Sequence, residues 1–477
     1  MTAAAASAST GAGAPPTETD RIARFALGLS LSDVPPEVLT LAREHLLDAL
    51  GIAIASSRFD FGDVALRAAR ELGEGRQATA IGSGERLPAT SAALVNGILA
   101  HGLDFDDTHV GAIYHAAAPA LATVLPAGEA TRASGAEVLA AFVASLEIGC
   151  RLAAGGAGTF HDRGFHPTAV CGTFAAAAAA GRLYRVDPRT LGWAIGLCGS
   201  TAAGLLERGE SWLKRLHPGW AAHSGLSALA LARAGFVGPD LMLEGRRGFF
   251  ASHVQSIPQG DAAPSHALGS TWHTLGIALK PYPCCHFIHA FVDAALELRG
   301  KFDNADVERI ECPLTPRLHK MVAEPREVCV RPRTPYQALF SVQYVTAAAL
   351  ARGRVDLATF YDDPLDAPDV LALASRAHCV EDPLSDYPAH FPGEVVVTLK
   401  DGRVFRSRRR TSLGTPEIPL SGAQVVEKFM ANATRAIEPA AAGEIARRVL
   451  ALERESSLDA IVALTVAPNT TGRWTRG

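Results

Sequence analysis

Three carboxylates crowd into four residues in the run HGLDFDDTH, where Asp104, Asp106 and Asp107 follow the apolar stretch ALVNGILA. Continued as a helix, this segment puts Asp104 and Thr108 four residues apart. They then share one face at a helix C-terminus, where the helix dipole disfavours negative charge. A cation, a metal ion or a shared proton must offset such carboxylates if they are buried, which makes the run a site candidate. Aspartates also cluster in solvated turns, where they cap the next segment, so this run alone does not separate site from loop.

Two further segments, GFHPTAV and KRLHPGWAA, each place a histidine before a proline that opens an apolar helix. Proline suits the first helical turn, so His166 and His217 are expected beside free amide N–H groups and the positive end of a dipole. Lys214 and Arg215 stand just upstream of the second. The segment LKPYPCCHFIHAFVDAALEL repeats the device, with Lys280 and a Pro-x-Pro turn leading into a helix that begins near Cys284. Each start taken singly reads as an ordinary capped helix. Together they suggest a pocket for a multiply charged anion.

A metal is the competing reading. Asp-x-Asp-Asp with His101, His109 and His115 could hold Mg²⁺ or Zn²⁺, and His286 with His289 forms an i, i+3 pair. Against it stand the lack of a His-Glu-x-x-His motif, of a second aspartate-rich turn and of a Cys/His knuckle. No Gly-rich phosphate loop follows a strand; GAGTF and GSGE are too weak to count.

The elements that must position these residues are mostly helical. From about residue 21 to 270 helix follows helix, as in PEVLTLAREHLLDALGIAIA, GAEVLAAFVASLEIGCRLA, TAVCGTFAAAAAAGRLY and GWAAHSGLSALALARAG. Alanine on many faces permits close helix packing. Near residue 305 the texture changes: VERIECPL reads as a strand, and EVVVTLKDGRVFRSRRR as two strands joined at Asp401-Gly402. This second, α+β unit also holds a helix, YQALFSVQYVTAAALARG. Helical texture returns in AQVVEKFMANA and AAGEIARRVLAL. The expected fold is mainly α, with a large helical domain built from both chain ends and a smaller α+β lid. The expected divisions are a disordered tail over 1–20, a helical domain over 21–270, the α+β part over 271–410 and returning helices over 411–477.

Composition bounds the function. The chain has 477 residues, 48% of them hydrophobic, enough for two domains or one large helical core. A net charge of only -4 gives no electrostatic case for nucleic acid or an anionic membrane surface as partner. No apolar run reaches the length of a membrane span. Eight scattered cysteines, with Cys284 and Cys285 merely adjacent, read as reduced, mostly buried thiols of a cytoplasmic protein. The opening MTAAAASASTGAGAPPTETD lacks the basic and leucine-rich regions of a signal peptide.

In order and spacing, HGLDFDDTH, GFHPTAVCGTFAAAAAAGRL, KRLHPGWAAHSGLSALALARAGF, LKPYPCCHFIHAFVDAALEL, FSVQY and PLSGAQVVEKF resemble the motifs of the MmgE/PrpD family of 2-methylcitrate dehydratase, cis-aconitate decarboxylase and iminodisuccinate epimerase. The resemblance spans roughly residues 20 to 435. It implies a cleft between a helical domain and a lid, a homodimer, and no metal or organic cofactor. Carried over by motif, the catalytic residues fall on Asp104, His115, His166, Lys214, Lys280 and Tyr344. Thr108, Lys214, Lys280, Cys285 and His286 are the expected substrate contacts. The decarboxylase branch is similar except that it carries histidine where this chain has Cys285, so cis-aconitate is not assigned as substrate.

The residue types suit such chemistry in their own right. Removing a proton next to a carboxylate, or expelling CO₂, builds enediolate charge that Lys214, Lys280 and helix N-termini can stabilise. His166 and His115 are the candidate base and acid, and Tyr344 could donate from the lid. Asp104 would hold a histidine or lysine in its working orientation, while Asp106 and Asp107 cap and turn the chain. His217 is read as structural, Tyr344 taken alone as a packed aromatic, Cys284 and Cys285 as buried apolar residues, and Arg406 to Arg410 as a solvated strand end. The expected function is a cofactor-independent hydro-lyase acting on a small di- or tricarboxylate such as a 2-methylcitrate-like acid. A related epimerase or decarboxylase stays open. From other classes come a Mg²⁺-dependent helical enzyme and a scaffold without catalysis.

Overall fold

The computed structural model describes residues 15–207 and 211–467. Among the described residues, ten α-helices run through the first half: α1 (Glu18–Gly28), α2 (Pro36–Ser56), α3 (Asp60–Glu71), α4 (Ala89–Ala100), α5 (Ala117–Thr131), α6 (Gly135–Ala154), α7 (Thr159–Asp162), α8 (Pro167–Leu183), α9 (Pro188–Cys198) and α10 (Leu213–Arg233). Local chemistry starts several of them. Thr17 with Asp20 and Ser134 with Glu137 form capping boxes at α1 and α6, and proline opens α2, α8 and α9. Helices α4, α5 and α8 are apolar on nearly every side and lie in the core, as an all-round apolar helix must. The six alanines at 175–180 in α8 are fully buried.

Small residues set the spacing of the helices that carry the site. A Cβ on Gly97 of α4 would lie 2.4 Å from the Cα of Gly219 in α10, and one on Gly219 would lie 2.3 Å from the carbonyl oxygen of Leu94. Gly97→Ala is therefore expected to force α4 and α10 apart and cost about 1–3 kcal/mol in a denaturant titration. Gly443→Ala, in the helix Pro439–Val449 with nothing near its Cβ, is the control and should gain up to about 1 kcal/mol. Equal effects of the two substitutions would refute the close-packing account.

Among the described residues, eight strands complete the fold. β1 (Ala78–Thr79) pairs with β2 (Arg86–Leu87), and β3 (Asp107–His109) pairs antiparallel with β4 (Ile277–Leu279), Thr108 opposite Ala278. A mixed sheet takes the order β6-β5-β7-β8, from β5 (Val307–Leu314), β6 (Ala377–Glu381), β7 (Gly393–Leu399) and β8 (Val404–Arg409). β5 and β6 run parallel, and the other pairs are antiparallel. The β7–β8 hairpin turns at Asp401-Gly402, with Gly402 at φ 85°. The helices His289–Leu298 and Val342–Arg352 pack with this sheet. The helix Gly422–Ala433 packs on α2, where Lys428 pairs with Asp48 at 2.8 Å. The fold is thus mainly α with a smaller α+β part, and late helices return to the first half.

Several expectations need correction. The chain from Asp104 to Thr108 is not helical: α4 ends at Ala100, Asp104 turns at φ 51°, and Thr108 lies in β3. Helix α10 starts at Leu213, so Pro218 sits inside it and His217 is not at a helix start. The helix expected over YQALFSVQYVTAAALARG is two, Pro335–Leu339 and Val342–Arg352, because Ser341 leaves the helical region and caps the second through the N–H of Tyr344. After the Pro-x-Pro turn a 3-10 turn, His286–Ile288, precedes the α-helix at His289. The run from Arg406 to Arg410 does end β8 with Arg406, Arg409 and Arg410 exposed, and its arginines also form pairs, Arg406 with Glu394, Arg408 with Asp382 and Glu394, Arg409 with Glu297 and Arg410 with Asp386. Helix α1 begins inside the tail expected over 1–20, and residues 1–14 of that tail lie outside the described residues.

Candidate active site

Asp104 is the centre of a charge cluster that could not be assembled by local structure. Its Oδ1 accepts from Nζ of Lys214 at 2.5 Å and from Nζ of Lys280 at 2.9 Å, and Lys280 also donates to the Asp104 carbonyl at 2.9 Å. The partners come from 110 and 176 residues away. Lys214 is delivered by the first turn of α10, which the Gly97–Gly219 contact presses onto α4. Lys280 is delivered by β4, which ends at Leu279, one residue before it, after pairing with β3 three residues beyond Asp104. The left-handed backbone of Asp104, which aspartate tolerates better than most residues, turns its carboxylate toward both lysines.

Burial raises the cost of charge at Asp104, yet Lys214 and Lys280 outweigh it and hold the carboxyl well below its ordinary range. At Lys280 burial opposes the charge, but Asp104 and Asp106 keep the ammonium above its usual value. Two ammonium groups held together by one buried carboxylate suit a ligand that carries carboxylates of its own.

A histidine group stands beside this cluster. Nδ1 of His115 lies 2.5 Å from the carbonyl oxygen of Asp107 and 3.3 Å from Thr108 Oγ1. A carbonyl only accepts, so Nδ1 carries the proton and Nε2 of His115 keeps its lone pair. His166 stands at the N-cap position of α8 without a side-chain cap bond, and its Nδ1 is 2.8 Å from Nδ1 of His217. The His115 and His166 ring centres are 5.7 Å apart. Burial pushes His115, His166 and His101 well below the ordinary imidazole range, so each is neutral near pH 7.

Eight of the nine expected site residues, Asp104, Thr108, His115, His166, Lys214, Lys280, Cys285 and His286, line one cavity of about 70 Å³. Cys285 is a thiol there, since burial raises its pKa, and burial lowers His286 to about 3. Tyr344 is the exception. It is 1% exposed in the core and does not line this cavity, and the charges that act on it are Arg352, Asp363, Asp366 and Asp369. The break at Ser341 starts a new helix that turns Tyr344 inward, and Phe340 lines the cavity instead. Arg215 is no site cation either, because its guanidinium stacks 4.4 Å from the Phe61 ring centre.

Sequence reasoning missed three features. Asp106 does not merely turn the chain: its Oδ2 lies 2.7 Å from Nδ1 of His101, whose ring is 4.7 Å from that of His115. In the sequence His101 reads only as a possible metal ligand. His161 also lines the cavity, and nothing in its sequence neighbourhood signals it. The apolar wall, including Leu206, Phe287, Met321 and Phe391, comes from four distant segments. Asp107 does cap, accepting from the N–H groups of Ala116 and Ala117 at the start of α5, and its Oδ2 also lies 2.9 Å from His45.

Comparison with known proteins decides the family. The model of the MmgE/PrpD N-terminal domain matches residues 20–259, and that of the MmgE/PrpD C-terminal domain matches residues 282–454. The chain belongs to the MmgE/PrpD family. Cis-aconitate decarboxylase of Homo sapiens is 30% identical over 433 residues, covering 87% of this chain and 88% of that one. Cis-aconitate decarboxylase of Aspergillus terreus is 26% identical over 474 residues, covering 94% and 96%. The 2-methylcitrate dehydratase of Cupriavidus necator is 27% identical over 227 residues, covering 44% and 45%. In this MmgE/PrpD chain both family domains reach the cavity, Asp104, His166 and Lys214 from the first and Cys285 and His286 from the second, with Lys280 in the stretch between them.

Proposed function

We propose that the protein is a cofactor-independent lyase that dehydrates, or in reverse hydrates, a small tri- or dicarboxylate of the 2-methylcitrate kind. The observation that carries this reading is the placement of a histidine with a free Nε2 lone pair, His115, in a cavity that also holds Lys214 and Lys280. Lys214 and Lys280 take the substrate carboxylates, with Asp104 holding both ammonium groups in place and Thr108 beside them. Nε2 of His115 removes the proton on the carbon next to a carboxylate. The electron pair enters that carboxylate as an enediolate, which the two lysines stabilise. It then forms the C=C bond as the C–O bond breaks, and the departing hydroxyl leaves as water with the proton that His115 took, returned directly or through His166. One proton circulates, in keeping with histidines that start neutral. On the same reading the α+β part is a lid over this cavity and the working form is a homodimer.

Decarboxylation is the second reading, favoured by relatives of that activity that span nearly the whole chain. There the bond to a carboxyl carbon breaks, CO₂ leaves, the lysines hold the same enediolate, and a proton must reach carbon. Cys285, a high-pKa thiol, stands where the decarboxylase branch has a histidine to supply it. Cys285→His is expected to raise CO₂ release from cis-aconitate about tenfold or more, within the range of general acid catalysis. Unchanged release, measured by headspace CO₂, would remove Cys285 as the determinant.

The deciding experiment is ¹H NMR of chelator-treated protein in D₂O with 2-methylcitrate, citrate, cis-aconitate, tartrate, malate and iminodisuccinate. An alkene appearing from a hydroxy acid, or water adding to an alkene, supports the hydro-lyase. Loss of CO₂ establishes the decarboxylase. Deuterium entering with inversion and no net loss points to an epimerase, and activity restored only by Mg²⁺ overturns the cofactor-independent reading.

A further inference from the structure

We propose that His101, His115 and His166 form a three-nitrogen site for a divalent cation of the zinc class, which occupies the floor of the cavity and blocks it. Ligand-capable nitrogens of the three side chains all lie within 4.8 Å of one another, and all three residues are buried. Two of the three, His101 and His115, share one hydrogen-bond pattern. Nδ1 of His101 is bonded to the Asp106 carboxylate, Nδ1 of His115 to the Asp107 carbonyl, and Nδ1 of His166 to His217. At His101 and His115 an oxygen acceptor on Nδ1 fixes the tautomer that leaves Nε2 as the lone pair, and this is how imidazoles are oriented on zinc.

The second observation is independent of the first. Nε2 of His101 is wholly buried and has no hydrogen-bond partner among the described residues. A buried imidazole nitrogen with no partner is costly, and a cation satisfies it. Zn–N bonds of about 2.0–2.1 Å in a tetrahedron put nitrogens roughly 3.4 Å apart, so the rings need to close by about 1.4 Å at most. Three ligands leave a fourth position toward the cavity. Charge does not forbid the cation: Lys214 and Lys280 are both engaged by Asp104, while Asp106 and Asp107 lie behind the histidines.

Inhibition follows only if the proposed function holds, since the cation would take the lone pair on His115 that receives the substrate proton. Binding itself does not depend on that reading, and the test is therefore a binding measurement. The chelator-stripped full chain is titrated with Co²⁺, followed by visible absorption, and the Co²⁺ is then displaced by Zn²⁺. Expected is one Co²⁺ per chain with the intense bands of a tetrahedral centre, lost on adding one equivalent of Zn²⁺. His101→Phe removes one ligand and should weaken binding at least about a hundredfold. His217→Phe touches no cation, only the support of His166, and should weaken it about tenfold. Far-UV circular dichroism checks that each variant folds, and should one not, the other carries the test. Faint octahedral bands, or binding that is the same in wild type and in the folded variants, would overturn the site.

Discussion

Asp104→Asn is expected to lower turnover of the protein's substrate at least about a hundredfold and to cost about 3–5 kcal/mol of stability, because it leaves two lysines buried without their shared counter-ion. The substitution isolates charge. Asparagine has the same size and tolerates the φ of 51° that residue 104 adopts, so neither volume nor backbone strain changes. What changes is that Lys280, 1% exposed, and Lys214 lose the Oδ1 carboxylate at 2.9 and 2.5 Å. Both readouts matter. A fall in stability with turnover intact would make the cluster structural only, and a fall in turnover at full stability would show that Asp104 positions the lysines without holding the fold. Unchanged values of both, from steady-state rates and urea titration, would refute the cluster's role.

Acid lability is the second large effect expected. Burial lowers His109 to about 4 and His286 to about 3. Unfolded, each titrates near the ordinary value of about 6.5. Below pH 6.5 the unfolded chain therefore binds protons that the folded chain refuses, so this stability is complete above pH 6.5 and is lost as pH falls toward 4 and 3. The slope approaches about 1.4 kcal/mol per pH unit for each group, and the two together remove about 3–4 kcal/mol between pH 7 and pH 5. Denaturant midpoints across that range measure it. Nδ1 of His109 has no hydrogen-bond partner among the described residues, so His109→Phe breaks no side-chain bond at that atom. The variant should show a slope shallower by one histidine, and an unchanged slope would mean that His109 is not held neutral.

Much of this protein was written in local chemistry. The capping boxes at Thr17 and Ser134, the prolines opening α2 and α8, the alanine run of α8, and the Asp401-Gly402 turn all act within a few residues, and short-range signals are legible without a partner. The strand Val307–Leu314 and the hairpin after it follow for the same reason. The aspartate run marks a candidate and no more, because three carboxylates beside an apolar helix demand compensation only where the fold buries them. The motif resemblance added the identities of distant partners, although Tyr344 does not line the cavity that the others share.

The remainder was decided by tertiary structure. Whether FSVQY continues a helix or restarts one depends on the Ser341 cap, a matter of one residue's dihedral angles, and that single break turns Tyr344 into the core and Phe340 into the cavity. Whether Asp104 faces a lysine depends on two approaches made elsewhere: the Gly97–Gly219 contact that seats α10, and the β3–β4 ladder that brings Lys280 across 176 residues. The choice of tautomer at His115 and the pairing of His101 with Asp106 are likewise set by a carbonyl and a carboxylate whose positions exist only once the chain has folded. Sequence alone supplied charges, caps and periodicities, because those act between near neighbours; the direction of each side chain toward a partner more than a hundred residues away required the packed helices that hold both ends.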